Sequence, residues 1–94
     1  MNVRRLLLDV DKAVQRPDIL ELAEVIDGVP GVEAVNITVT DIDIETVGTD
    51  VTIEGDNINI PALVAAIENI GAAVHSIDEI VVGHRIIERV PRAR

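Results

Sequence analysis

From Val3 to Lys12 apolar and polar side chains alternate, with Leu6, Leu8 and Val10 on one side and Arg5, Leu7 and Asp9 on the other. A period of two predicts a strand. Pro17 suits the first turn of a helix, and Ile19, Leu22, Ala23 and Ile26 then recur at helical spacing until Gly28 and Pro30 stop the run. Between Val32 and Ile44 the period returns to two. Val35, Ile37 and Val39 alternate there with Asn36, Thr38 and Thr40, as in a half-buried strand. A turn is expected near Val47-Gly48-Thr49, and a third strand over 50–55 with Val51 and Ile53 inward. Pro61 opens a second helix carrying Leu63, Val64, Ile67 and Ile70, which Gly71 closes. Ala73 to Val82 reads as a fourth strand, and the tail "GHRIIERVPRAR" follows.

The resulting order, β-α-β-β-α-β, is the split βαβ or ferredoxin-like plan. It is an α+β sandwich, a four-stranded antiparallel sheet with two helices on one face. Right-handed crossovers set the first two strands parallel, with the third between them running the other way and the fourth on the far side of the first. There is no linker, no low-complexity segment and no repeat beyond the two-fold plan. Residues 1–94 are therefore expected to form one domain with a basic C-terminal extension over 84–94.

Composition narrows the chemistry. Hydrophobic residues make up 48% of the chain and none is aromatic, so the core must be built from branched aliphatics. The absence of cysteine removes disulfides, thiolate metal sites, Cys nucleophiles and copper-chaperone chemistry. At the N-terminus the apolar run Leu6–Leu8 is cut short by charge, unlike a signal peptide, and no stretch approaches transmembrane length. The chain is expected to be soluble and cytoplasmic.

The net charge of −9 is unevenly spread. Residues 17–84 hold 14 carboxylates and no Lys or Arg, whereas Arg4, Arg5, Lys12 and Arg16 lie before them and Arg85, Arg89, Arg92 and Arg94 after. Such a body argues against nucleic acid, which needs Lys and Arg for phosphates and aromatics for unstacked bases. It is compatible with a plain solvated surface, and also with head-to-tail association that lays the basic tail of one copy on the acidic body of the next.

Four segments taken in order, "RRLLLDV" at 4–10, "GVEAVNITV" at 31–39, "VTIEG" at 51–55 and "VHSIDEIVVG" at 74–83, resemble the small archaeal family known as domain of unknown function 211. The likeness covers nearly the whole chain. It implies a ferredoxin-like fold, ring-shaped homo-oligomers and an archaeal source. It supplies no biochemical activity and no catalytic residue.

The predicted topology gathers Asp9, Asp11, Asp41, Asp43, Glu45, Asp50 and His75 at one sheet edge. Asp41, Asp43 and Glu45 would share a strand face if the strand persists through them. Crowded carboxylates favour a hard divalent cation, Ca²⁺ or Mg²⁺, over zinc. The stretch "DIDIETVGTDVT" is no EF-hand loop, because Thr46 and Thr52 stand where Gly and Glu belong. The same residues also serve a plainer purpose, since charges at a hairpin tip guard an edge strand against aggregation. In "VHSIDE" a strand would point His75 and Asp78 to opposite faces, which suits a hydrogen-bonded histidine better than a catalytic dyad.

Ile80–Val82 and Ile86-Ile87 exceed what a small core needs, so the tail is expected to bury them against a neighbour's sheet edge in a ring-closing contact. The favoured function is a homo-oligomeric binding or scaffold module, with Ca²⁺ or Mg²⁺ as the candidate ion. The alternative is an ACT-like sensor of a small molecule at subunit interfaces. Its usual ligand loop, here "DVDKAVQRPD", lacks the glycine that lets backbone approach a ligand. No nucleophile–base set or cofactor motif points to an enzyme.

Overall fold

The computed structural model describes residues 1–93, so Arg94, one of the tail residues expected to reach a neighbour, lies outside the described residues. Six elements follow in order: β1 (Val3–Ala13), α1 (Ile19–Asp27), β2 (Val32–Ile42), β3 (Thr46–Gly55), α2 (Ile60–Asn69) and β4 (Ala73–Val82). The strands form one sheet in the order β2-β3-β1-β4, and every neighbouring pair is antiparallel. This is the ferredoxin-like α+β arrangement that the alternating periods predict.

The core lies between the sheet and the helices. Leu6, Leu8 and Val10 of β1 and Val51 and Ile53 of β3 are buried together with Leu22 and Ile26 of α1 and Leu63 and Ile67 of α2. Each such side chain contributes roughly 1.5–3 kcal/mol on leaving water. Aliphatic side chains at strand and helix spacing fill the space without any ring. Thr49 is also fully buried, and its hydroxyl donates to the Val10 carbonyl at 2.8 Å, so its polar atom is satisfied.

Local signals explain the boundaries. Asp18 is the N-cap of α1. Its carboxylate accepts from Glu21 N at 2.8 Å while the Glu21 side chain accepts from Asp18 N, a reciprocal capping box. Pro17, expected inside the first helical turn, instead sits before this cap and is buried. The Asp18–Glu21 pair sets the start, and an N-cap needs the extended backbone that Asp18 adopts. Asn59 caps α2 by accepting from Ala62 N at 3.0 Å, and Pro61 lies in the first turn as predicted.

Two strand boundaries differ from the sequence pattern. β2 ends at Ile42 rather than Ile44, and β3 begins at Thr46 rather than Asp50. The turn therefore lies at Asp43–Glu45, closed by Asp43 N donating to Thr46 O at 2.8 Å, and Val47-Gly48-Thr49 belong to the strand. Gly31 and Gly55 mark a close approach of backbones. Gly31 has φ +92°, and a Cβ on Gly55 would lie 1.8 Å from the Gly31 carbonyl oxygen.

Candidate functional site

The helix-free face of the sheet is polar and its register fixes which carboxylates meet. Asp9 on β1 stands directly across from Asp50 on β3, and Asp50 in turn faces Thr38 on β2. One row further along, Asp11, Gly48 and Asp41 are cross-strand neighbours. A Cβ placed on Gly48 would lie 3.6 Å from Asp41 Cβ and 3.7 Å from an Asp11 carboxylate oxygen. Asp11 and Asp41 thus flank a position with no side chain. The row continues toward the far end through Asn36, whose amide oxygen accepts from the Thr38 hydroxyl at 2.7 Å.

The expected face of Asp41, Asp43 and Glu45 does not form. A register shift between Val39 and Asp41 changes the phase of β2, placing Asp41 opposite Gly48 on the helix-free face. Asp43 and Glu45 lie beyond the strand, in the turn, where Asp43 accepts from Ile44 N at 2.7 Å. The seven predicted residues accordingly divide. Asp9, Asp11, Asp41 and Asp50 lie on the sheet face, and Asp43 and Glu45 at the hairpin tip. His75 joins the face group, with Nδ1 4.0 Å from Asp11 Oδ2, too long for a hydrogen bond. It sits at a β4 register shift between the Val10 and Asp9 pairings. Among the described residues, no three His, Asp or Glu side chains converge into a metal-holding group, and none of the six carboxylates has a Lys or Arg partner within 4 Å.

The opposite end of the same face is organised around Arg5. Its guanidinium meets Glu54 at 2.8 Å, Glu88 at 2.8 Å and Glu79 at 3.7 Å. Hydrogen bonds to Glu54 and then Glu88 push the Arg5 pKa up from the ordinary arginine value, against a smaller cost of burial. Arg4 adds two backbone contacts, donating to Gly55 O at 3.0 Å and to His84 O at 2.7 Å. Gly83 N also donates to Asn2 O at 2.8 Å. Residues 84–93 therefore form an arm whose base is tied to the chain's own N-terminal strand.

Between this arm and β4 runs an open groove of about 620 Å³, with Leu7, Ile80, Val81 and Ile87 as its apolar lining and Glu88 and Arg89 on the arm side. In the sequence Arg5 counts only as one of the basic residues before the acidic body, and nothing there pairs it with Glu88, 83 positions away. Lys12, counted with the same basic residues, likewise gives no sign in the sequence of its burial. It is the chain's only lysine, it is buried at the end of β1, and its ammonium donates to Ala13 O at 3.1 Å and Val14 O at 3.4 Å.

No helix among the described residues is long and apolar enough to cross a membrane. The family model DUF211, described as an uncharacterized ArCR family, matches residues 4–94. An uncharacterized protein of Methanocaldococcus jannaschii, MJ0319, is 42% identical over 89 residues, which span 95% of this chain and 91% of that protein. With the β-α-β-β-α-β sheet in place and the likeness running almost end to end, the chain belongs to the archaeal DUF211 family.

Proposed function

We propose that the protein is a homo-oligomeric binding or scaffold module whose copies join head to tail, and that the helix-free face of the assembly holds a divalent cation, Ca²⁺ or Mg²⁺. The observation that carries the assembly is the pair of open sheet edges. Among the described residues β2, of 11 residues, bonds only to β3, and β4, of 10 residues, only to β1. Neither strand contains the Pro or Lys that commonly blunts an edge. On β4, Ile77, Ile80 and Val82 are each 43–49% exposed. The two edges are different surfaces, so a contact between them is heterologous and repeats until a ring closes.

The cation reading is supported by the face group. Asp9 opposite Asp50, and Asp11 beside Asp41, are like charges held at strand spacing with no Lys or Arg within 4 Å among the described residues, His75 standing 4.0 Å from Asp11. An ion bridging them, completed by water, would relieve the repulsion. Ca²⁺ suits a loose set of carboxylates better than Mg²⁺, which demands tighter octahedral geometry. The two parts are separable by native mass spectrometry on the chelator-treated full chain, then with Ca²⁺ or Mg²⁺ added, alongside a variant lacking 84–94. The expected result is a closed multimer that takes up about one ion per subunit and loses its mass when the arm is removed. A monomeric wild type overturns the assembly. A multimer indifferent to both ions overturns the cation and directs the search to a small-molecule panel, as a sensor would require.

A further inference from the structure

The β2–β3 hairpin tip is an unusual surface. Ile42 and Ile44 are 71% and 90% exposed, the latter nearly as open as the terminal Met1. Asp41, Asp43 and Glu45 alternate with them. The turn is held by Asp43 N to Thr46 O at 2.8 Å and Ile44 N to Asp43 Oδ1 at 2.7 Å, so these two aliphatics are presented on a defined turn. A surface that is both acidic and aliphatic calls for a partner that is apolar within and basic at its margin.

The groove beside β4 is apolar within, and the arm along one side of it carries Arg85, Arg89 and Arg92. Leu7, Ile80, Val81 and Ile87 line it. It also carries three carboxylates: Glu79 and Glu88 share the single charge of Arg5 with Glu54, and Asp78 accepts the Ser76 hydroxyl at 2.8 Å and keeps its charge. On the arm, Arg85, Arg89 and Arg92 have no carboxylate within 4 Å among the described residues. Its volume of about 620 Å³ is in the range that takes up a small cluster of apolar groups. The arm is already anchored through Arg4, Arg5 and Gly83, so docking would not first have to order it.

We infer that this groove receives the hairpin tip, residues 42–45, of a second copy, with Ile42 and Ile44 against its lining and Asp43 and Glu45 toward the arginines of the arm. The inference rests on the assembly proposed above and names the two surfaces that meet. Topology makes the contact intermolecular. The tip lies beyond the last β1–β3 pair, Ala13 with Thr46, whereas the arm starts where Gly83 meets Asn2 at the other end of β1. The tip also joins the β2 edge and the groove joins the β4 edge, on opposite sides of the sheet. One copy therefore leaves one tip and one groove unfilled, and the contact propagates head to tail.

Such a contact is tested by complementation. Ile44→Asp spoils the tip and leaves the groove. The double variant Ile87→Asp with Arg89→Glu spoils the groove and leaves the tip. All three side chains are exposed, so thermal unfolding followed by circular dichroism should show both variants folded. By sedimentation velocity each variant alone should be monomeric at a concentration where the wild type is assembled, an affinity loss of about tenfold or more. Their equimolar mixture should form a dimer and stop there, because only one intact tip and one intact groove remain to meet. A mixture that stays monomeric, or variants that assemble like the wild type, overturns this docking while the assembly itself stands. A wild type that is itself monomeric removes the assembly and the docking together.

Discussion

Asp9 and Asp50 show how much a single position can report. Directly opposed carboxylates on adjacent strands repel, and such a pair costs roughly 0.2–1 kcal/mol. Asp50→Asn should therefore raise thermal stability slightly in chelator, and should blunt any stabilisation by added Ca²⁺, both read from circular-dichroism melting. A variant destabilised in chelator would mean that Asp50 has a favourable partner. Arg5 is the converse case. Its partners Glu54 and Glu88 have side chains 44% and 70% exposed, so solvent screens the cluster and Arg5→Ala should cost only about 1 kcal/mol by denaturant titration. A raised arginine pKa contributes stability below its unfolded value and loses it only above the folded one. Both lie beyond working pH, so the guanidinium itself makes the arm's anchorage no more pH-dependent. The sequence made Asp9 and Asp11 legible, because strict alternation places them across from the inward Leu8 and Val10. It did not place Asp41, whose face depends on a backbone irregularity after Val39 that leaves no mark in the residue pattern.

Elements were readable where local chemistry and tertiary packing agree. The helical spacing of Leu22 and Ile26 marks the buried side of α1, and both are fully buried. Leu22→Ala should cost about 2–5 kcal/mol, since a cavity is added to the lost transfer energy. The spacing alone does not fix the start of α1, because Pro17 and Asp18 both suit a helix start and the Glu21 partner decides between them. Asp18→Ala should cost about 1 kcal/mol by opening the capping box. A stability change near zero in urea titration would show that the helix is held by packing alone. The residue pattern puts the β2–β3 turn several residues late for a related reason. Gly48 looks like turn chemistry, yet it is a strand residue, and the turn is made by Asp43 through Glu45.

At the scale of the whole molecule, the charge distribution sets two effects against each other. The subunit carries a net charge of −9, so self-repulsion works against its folded state. Salt weakens that repulsion. If copies join by setting the carboxylates of one hairpin tip toward the arm arginines of the next, the same salt weakens the contact between them. Raising ionic strength from about 0.01 M to about 1 M shortens the screening length from roughly 30 Å to roughly 3 Å. The melting temperature of the monomeric Ile44→Asp variant should then rise, while the wild-type assembly, followed by light scattering, should shed subunits. Opposite signs from one variable separate charge within a subunit from charge between subunits. An assembly that tightens with salt instead would place its holding energy in the aliphatic edge residues Ile77, Ile80 and Val82, whose burial salt does not oppose.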